Sequence, residues 1–246
     1  TYGRGLMPDT FADFSKQRFR WAYGAVMIMR HHYKSLLGLE RSNLTTGQRY
    51  HFVAGWLPWF ADGFNLVFNL AALAWSVGMV ALPSDFTPPL VIIATIPLVL
   101  FVFKVSKSFF LYRRRVTATL RQSLAAGIAG LALSHTIARA FWTGLFNSKL
   151  GFFRTPKLAQ APALIRALMD AREELLFLVA LGLAAAFVLM RDDAYMLDVR
   201  VWAAVLLVQA IPYLAAVLVS ALSAWRALAA RLIGAMGEIR GQGEGA

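Results

Sequence analysis

Three side chains in the stretch QRFRW could handle a sugar and its leaving group. On a helix, residues three and four apart share a face, so Gln17, Arg20, Trp21 and Gly24 project together and leave Arg18 and Phe19 pointing elsewhere. A planar guanidinium suits a diphosphate, an indole face suits the C–H face of a sugar ring, and Gly24 removes a side chain one turn on. The plainer alternative is an interfacial Trp with snorkelling Arg side chains on a surface helix. A second basic stretch, NSKLGFFRTPKLAQAP over 147–162, mixes aromatic, hydroxyl and cationic groups with Gly151, Pro156 and Pro162. It could close over an anionic ligand, with Lys157 or Arg154 on phosphate and Phe152 on a base, or it is an ordinary basic connector.

A third group, Asp62, Asn65 and Asn69, falls at i, i+3 and i+7 inside an apolar run, with Trp56, Trp59, Phe64 and Phe68 nearby. Polar groups within a membrane helix face protein or a water-filled cavity, so these are candidates for lining a channel. Trp56 and Trp59 also fit an aromatic belt at the membrane interface. Lys104 and Lys107 are expected to snorkel toward the basic end of the second span, where Arg113, Arg114 and Arg115 meet lipid headgroups. His31, His32 and His135 read as surface or interfacial imidazoles.

These residues need elements to hold them, and the composition names the setting. Of 246 residues, 59% are hydrophobic and only 15% charged, against about 25% in an average soluble domain. The net charge of +12 lies in segments between the apolar runs, which a positive-inside bias explains without nucleic acid. There is no cysteine, and four scattered His give no metal-ligand spacing, so thiol chemistry is excluded and no metal is expected on this chain. The opening YGRGLMPDT reads as mid-domain sequence, which makes the chain the C-terminal part of something longer.

The predicted fold is mainly α, a polytopic membrane protein of four spans with amphipathic interfacial helices, following the end of a cytosolic α/β domain. Thr10 is a plausible N-cap with Asp13 three residues on, opening an amphipathic helix over about 11–33. Apolar runs follow at about 52–82, 88–112, 124–147, 173–190 and 199–225. All five have roughly the length of a span, about 20 residues. Lys and Arg number eight in 1–50, none in 83–87, ten in 113–172, two in 191–200 and three after 225. If 124–147 does not cross, every basic segment falls on one side; if it does, His135 and Arg139 enter hydrocarbon and a basic loop is exported. The expected boundaries are therefore 1–50 for the end of the cytosolic domain, 51–112 for two spans, 113–148 for an interfacial helix, 149–170 for a loop, 171–226 for two more spans and 227–246 for a disordered tail, with both termini cytoplasmic.

QRFRW, preceded by GLMPDTF and followed by WAYGAVMIM, two spans, an amphipathic stretch and FFRTPK, resembles the C-terminal half of a membrane-embedded family 2 glycosyltransferase of the cellulose synthase type. Gln17, Arg20 and Trp21 match that family's Q-x-x-R-W motif, and Phe152, Thr155 and Lys157 match its F-x-V-T-x-K gating loop, with Arg154 in place of Val. The similarity in segment order runs from about residue 3 to 226. It implies a processive inverting transferase, a β-glucan synthase using UDP-glucose in a bacterial inner membrane. Trp21 would stack on the acceptor sugar, Arg20 and Gln17 would hold the leaving diphosphate, and the loop would cover the nucleotide. The general base and a divalent metal, Mg or Mn, would belong to an upstream domain, so this chain alone would be inert. HFVAGWLPWFADGFN is closer in wording to β-1,3-glucan synthases than to cellulose synthases, and no segment after 226 resembles a cyclic-dinucleotide-binding domain. The rival readings are a non-processive family 2 enzyme acting on a lipid-linked acceptor, and a polytopic transporter or scaffold.

Overall fold

The computed structural model describes residues 10–115, 118–147 and 168–243, and among them it contains helices and no strand. Helix α1 (Phe11–Leu36) starts at the expected cap: Thr10 Oγ1 accepts from Asp13 N at 3.2 Å and donates to its carboxylate at 2.8 Å. Its far end is a Schellman turn, with Leu39 N bonded to Lys34 O and Gly38 N to Ser35 O, which places Gly38 at φ 76° where a Cβ would be strained. Helix α2 (Thr46–Ala81) opens on a capping box between Thr45 and Gln48 and is about 54 Å long at 1.5 Å per residue. Helix α3 is Val91–Arg115, α4 is Leu120–Ala132, α5 is Ser134–Phe146, α6 is Arg172–Leu189 and α7 is Leu197–Gly243.

Two hairpins, α2–α3 and α6–α7, stand side by side with their turns at one end. Arg191, in the turn between α6 and α7, donates to the carbonyl of Met79 at the end of α2, and Phe86 of the other turn covers Gly78. The core between them is built from Met79, Leu181, Val188, Val205 and Leu206, with Ala72, Ala185 and Ala203 at close approaches. In a bilayer the gain from such contacts is packing, and small residues let helices come close enough to obtain it. A second cluster, Phe11, Ala132, Leu133, Ala215 and Ala216, joins α1, the α4–α5 break and α7 toward the opposite end.

Among the described residues, three helices are long and apolar enough to cross a membrane: Thr46–Ala81, Ala94–Arg114 and Leu197–Arg226. The pair α4 and α5 qualifies only as one unit, and it is bent by 41° at Leu133. The stretch expected as one interfacial helix is two helices joined at a sharp bend. Helix α6, expected as the third span, is 18 residues long and begins with Arg172, Glu173 and Glu174, so it is not among these three. The last helix also runs past 226 to Gly243, where a disordered tail is expected from sequence. The Ala- and Leu-rich stretch ALAARLIGAM continues the preceding helix, and no Pro interrupts it.

Candidate functional site

Helix α1 lies on α5 with Ala22, Ala25 and Val26 buried, and Val26 meets Gly144 so closely that a Cβ there would sit 2.9 Å away. Arg30 donates to Gly144 O at 2.8 Å and Tyr23 Oη to Asn147 O at 3.0 Å. This anchoring turns the other side of α1 outward. Gln17 and Arg20 are half-buried, Trp21 is 51% exposed, and nothing approaches a Cβ placed on Gly24 within 4 Å.

The three motif residues therefore share a side, but the expectation that Arg18 points elsewhere is corrected. Its guanidinium lies 4.8 Å from the centre of the Trp21 ring and 5.1 Å from that of Phe14. Positions 18 and 21 are themselves three apart, so the same geometry that groups Gln17 with Arg20 brings Arg18 onto the indole. Phe19 does turn away, stacking with Tyr23 at 6.4 Å. Phe152, Thr155 and Lys157, with Arg154, lie outside the described residues. Tyr23 nonetheless binds Asn147, the last described residue before that stretch, two positions along α1 from Trp21.

The channel candidates are occupied by other side chains. Lys104 Nζ of α3 lies 2.5 Å from Asp62 and 3.2 Å from Ser134 Oγ. Gln209 donates to Asn65 at 2.9 Å, and Asn69, fully buried, donates to Tyr213 Oη at 2.8 Å. Trp202 extends this series by donating to Ser76 Oγ at 3.0 Å. Trp59 is half-buried, while Phe64 packs on Phe141 and Trp142 of α5. Spacing along α2 identified the polar face; the partners on α3 and α7 are far away in sequence and carried no periodic signal.

Lys104 does not snorkel toward the basic end as expected; it turns inward to a carboxylate. His135, read as a surface or interfacial imidazole, is buried, with Nε2 3.1 Å from Glu173 and its ring tilted against the stacked pair Phe177 and Tyr213. Arg139 reaches the same carboxylate at 2.9 Å. A signal existed, since His135 and Arg139 are four apart and Glu173 and Glu174 stand at the head of an apolar run. No group of three His, Cys, Asp or Glu among the described residues could hold a metal ion. A groove of about 370 Å³ between α2 and α5, lined by Leu66, Val67, Leu70, Arg139, Trp142 and Thr143, is mostly apolar and unsuited to a nucleotide.

No family model, no curated protein and no solved structure matches this chain.

Proposed function

We propose that the chain is the membrane-embedded C-terminal part of a processive inverting glycosyltransferase, a β-glucan synthase that polymerises glucose from UDP-glucose and moves the polymer across a bacterial inner membrane, with both termini cytoplasmic. The observation that carries this reading is the side of α1 that bears the exposed Trp21 with half-buried Gln17 and Arg20, and the bond from nearby Tyr23 to Asn147.

In this reading the exposed indole of Trp21 supports the acceptor sugar, while Arg18 holds the ring in place. Arg20 and Gln17 bind the diphosphate as it departs, and charge-assisted hydrogen bonds to a leaving group lower the barrier most when they strengthen in the transition state. Phe152, Thr155 and Lys157 close over the nucleotide. Residues of an upstream domain would hold a divalent cation, which would supply charge neutralisation of the diphosphate. The general base also comes from that domain.

The test is Trp21→Ala and Trp21→Phe in the complete enzyme, with labelled UDP-glucose incorporation, product length and UDP affinity measured together. Loss of polymer in Trp21→Ala, partial return in Trp21→Phe and unchanged UDP affinity are expected. Unaltered polymer yield in Trp21→Ala would overturn the acceptor role, and single-sugar products in the parent enzyme would assign the non-processive alternative. The scaffold reading draws on one observation of its own: Asn65 and Asn69 are bonded to Gln209 and Tyr213, as in a packed bundle without a path. It requires that the complete protein incorporate no sugar.

A further inference from the structure

Helix α3 is the least covered of the helices long enough to cross a membrane: only 6% of its apolar window is buried, against 50% for α7. Its two lysines have opposite fates. Lys104 turns inward to Asp62, whereas Lys107 is exposed on the outer side. Phe103, Lys107, Phe110 and Arg114 follow at steps of four, three and four, so they form one stripe down that side. Phe103 and Phe110 are more than 60% exposed, and the Arg114 guanidinium lies 5.4 Å from the centre of the Phe110 ring.

A lysine facing hydrocarbon is costly, about 2.5–3.5 kcal/mol at the middle of a span, unless it reaches the interface or a counter-charge. Lys107 has no carboxylate partner among the described residues, and α3 contains no Asp or Glu. It stands two turns, roughly 10 Å, from Arg114, a gap two long side chains can close from both ends. Arg113 is directed differently, toward the carbonyl of Ala118. What remains is a pair of unopposed cations set between exposed rings at the end of a nearly bare helix.

We propose that this stripe is a binding site for a single anionic glycerophospholipid of the leaflet into which α3 ends. Its phosphate lies between Lys107 and Arg114, and its acyl chains run along Phe110 and Phe103. Charge complementarity selects the headgroup, because a zwitterionic lipid brings its own cation to the same place. The site depends only on α3 meeting the bilayer and is independent of any glycosyl transfer.

Native mass spectrometry of the purified full chain in neutral detergent tests it, with phosphatidylglycerol compared against phosphatidylcholine of the same acyl length. Phosphatidylglycerol is expected to be retained preferentially. Lys107→Gln and Arg114→Gln should each weaken it about fivefold, the effect of roughly 1 kcal/mol per cation near an anionic lipid. Lys107→Arg should keep the preference, and Arg121→Gln, an exposed cation on α4, should leave it unchanged. Because Lys107 packs on nothing that the fold requires, circular dichroism of Lys107→Gln should match the parent. Equal retention of the two lipids, an equal loss in Arg121→Gln, or release of phosphatidylglycerol by inorganic phosphate at low concentration would each overturn the proposal.

Discussion

Asp62 and Lys104 show how much a single pair can matter in an apolar bundle. Asp62 is nearly enclosed while Lys104 keeps 41% of its side chain exposed, so the carboxylate depends on the lysine more than the reverse. Removing one partner of a buried pair costs about 3–5 kcal/mol, and partial exposure puts this case at the lower end. Lys104→Met should therefore destabilise the protein by about 3 kcal/mol, and adding Asp62→Asn should restore part of it. A double-mutant cycle on reversible unfolding in detergent measures the coupling; additive losses would mean that the pair contributes nothing specific. The Asn69–Tyr213 bond is a weaker contact, because hydrogen bonds between membrane helices average only about 0.6 kcal/mol. Tyr213→Phe should cost about 1 kcal/mol, since it leaves the Asn69 amide buried without its acceptor.

Helix α5 is seated by shape as well as by charge. A Cβ on Gly63 of α2 would lie 2.3 Å from the ring of Phe141, and Trp142 Nε1 donates to Gly63 O at 2.9 Å. Gly63→Ala should lift α5 from α2 and destabilise by about 1–3 kcal/mol, the usual penalty for overfilling a packed contact. Phe141→Leu in the same chain should recover most of the loss by removing the clashing edge. Thermal unfolding followed by tryptophan emission reads both effects, and a Gly63→Ala protein as stable as the parent would contradict the contact. The break at Leu133 follows from the same seating: Ser134 and His135 are held by Lys104 and Glu173, so α5 leaves the line of α4 where its polar head finds partners.

For the molecule as a whole, the two hairpins are fastened at their turns through Arg191. Its guanidinium binds the Asp193 carboxylate at 2.8 Å as well as the carbonyl of Met79, and the hydrogen bond from Arg191 holds the Asp193 carboxyl below its ordinary range. A carboxyl depressed on folding adds stability above its unfolded value, near 3.9, and that contribution is lost as pH falls through the folded value. The pair should thus leave the midpoint of thermal unfolding flat from pH 5 to 8 and lower it only below about pH 4. Asp193→Asn should flatten that acid limb, and an unchanged limb would remove the pair from the account. The helical class, the Thr10 cap, the outward side shared by Gln17, Arg20 and Trp21, and the polar face of α2 were all written in local spacing, because a helix repeats every 3.6 residues wherever it sits. Tertiary structure alone decided that Lys104 turns inward and Lys107 outward, that His135 is buried against Glu173, and that Asn65 and Asn69 are taken by α7. Those outcomes depend on which helix stands opposite, a relation between residues as far as 144 positions apart that no short-range period encodes.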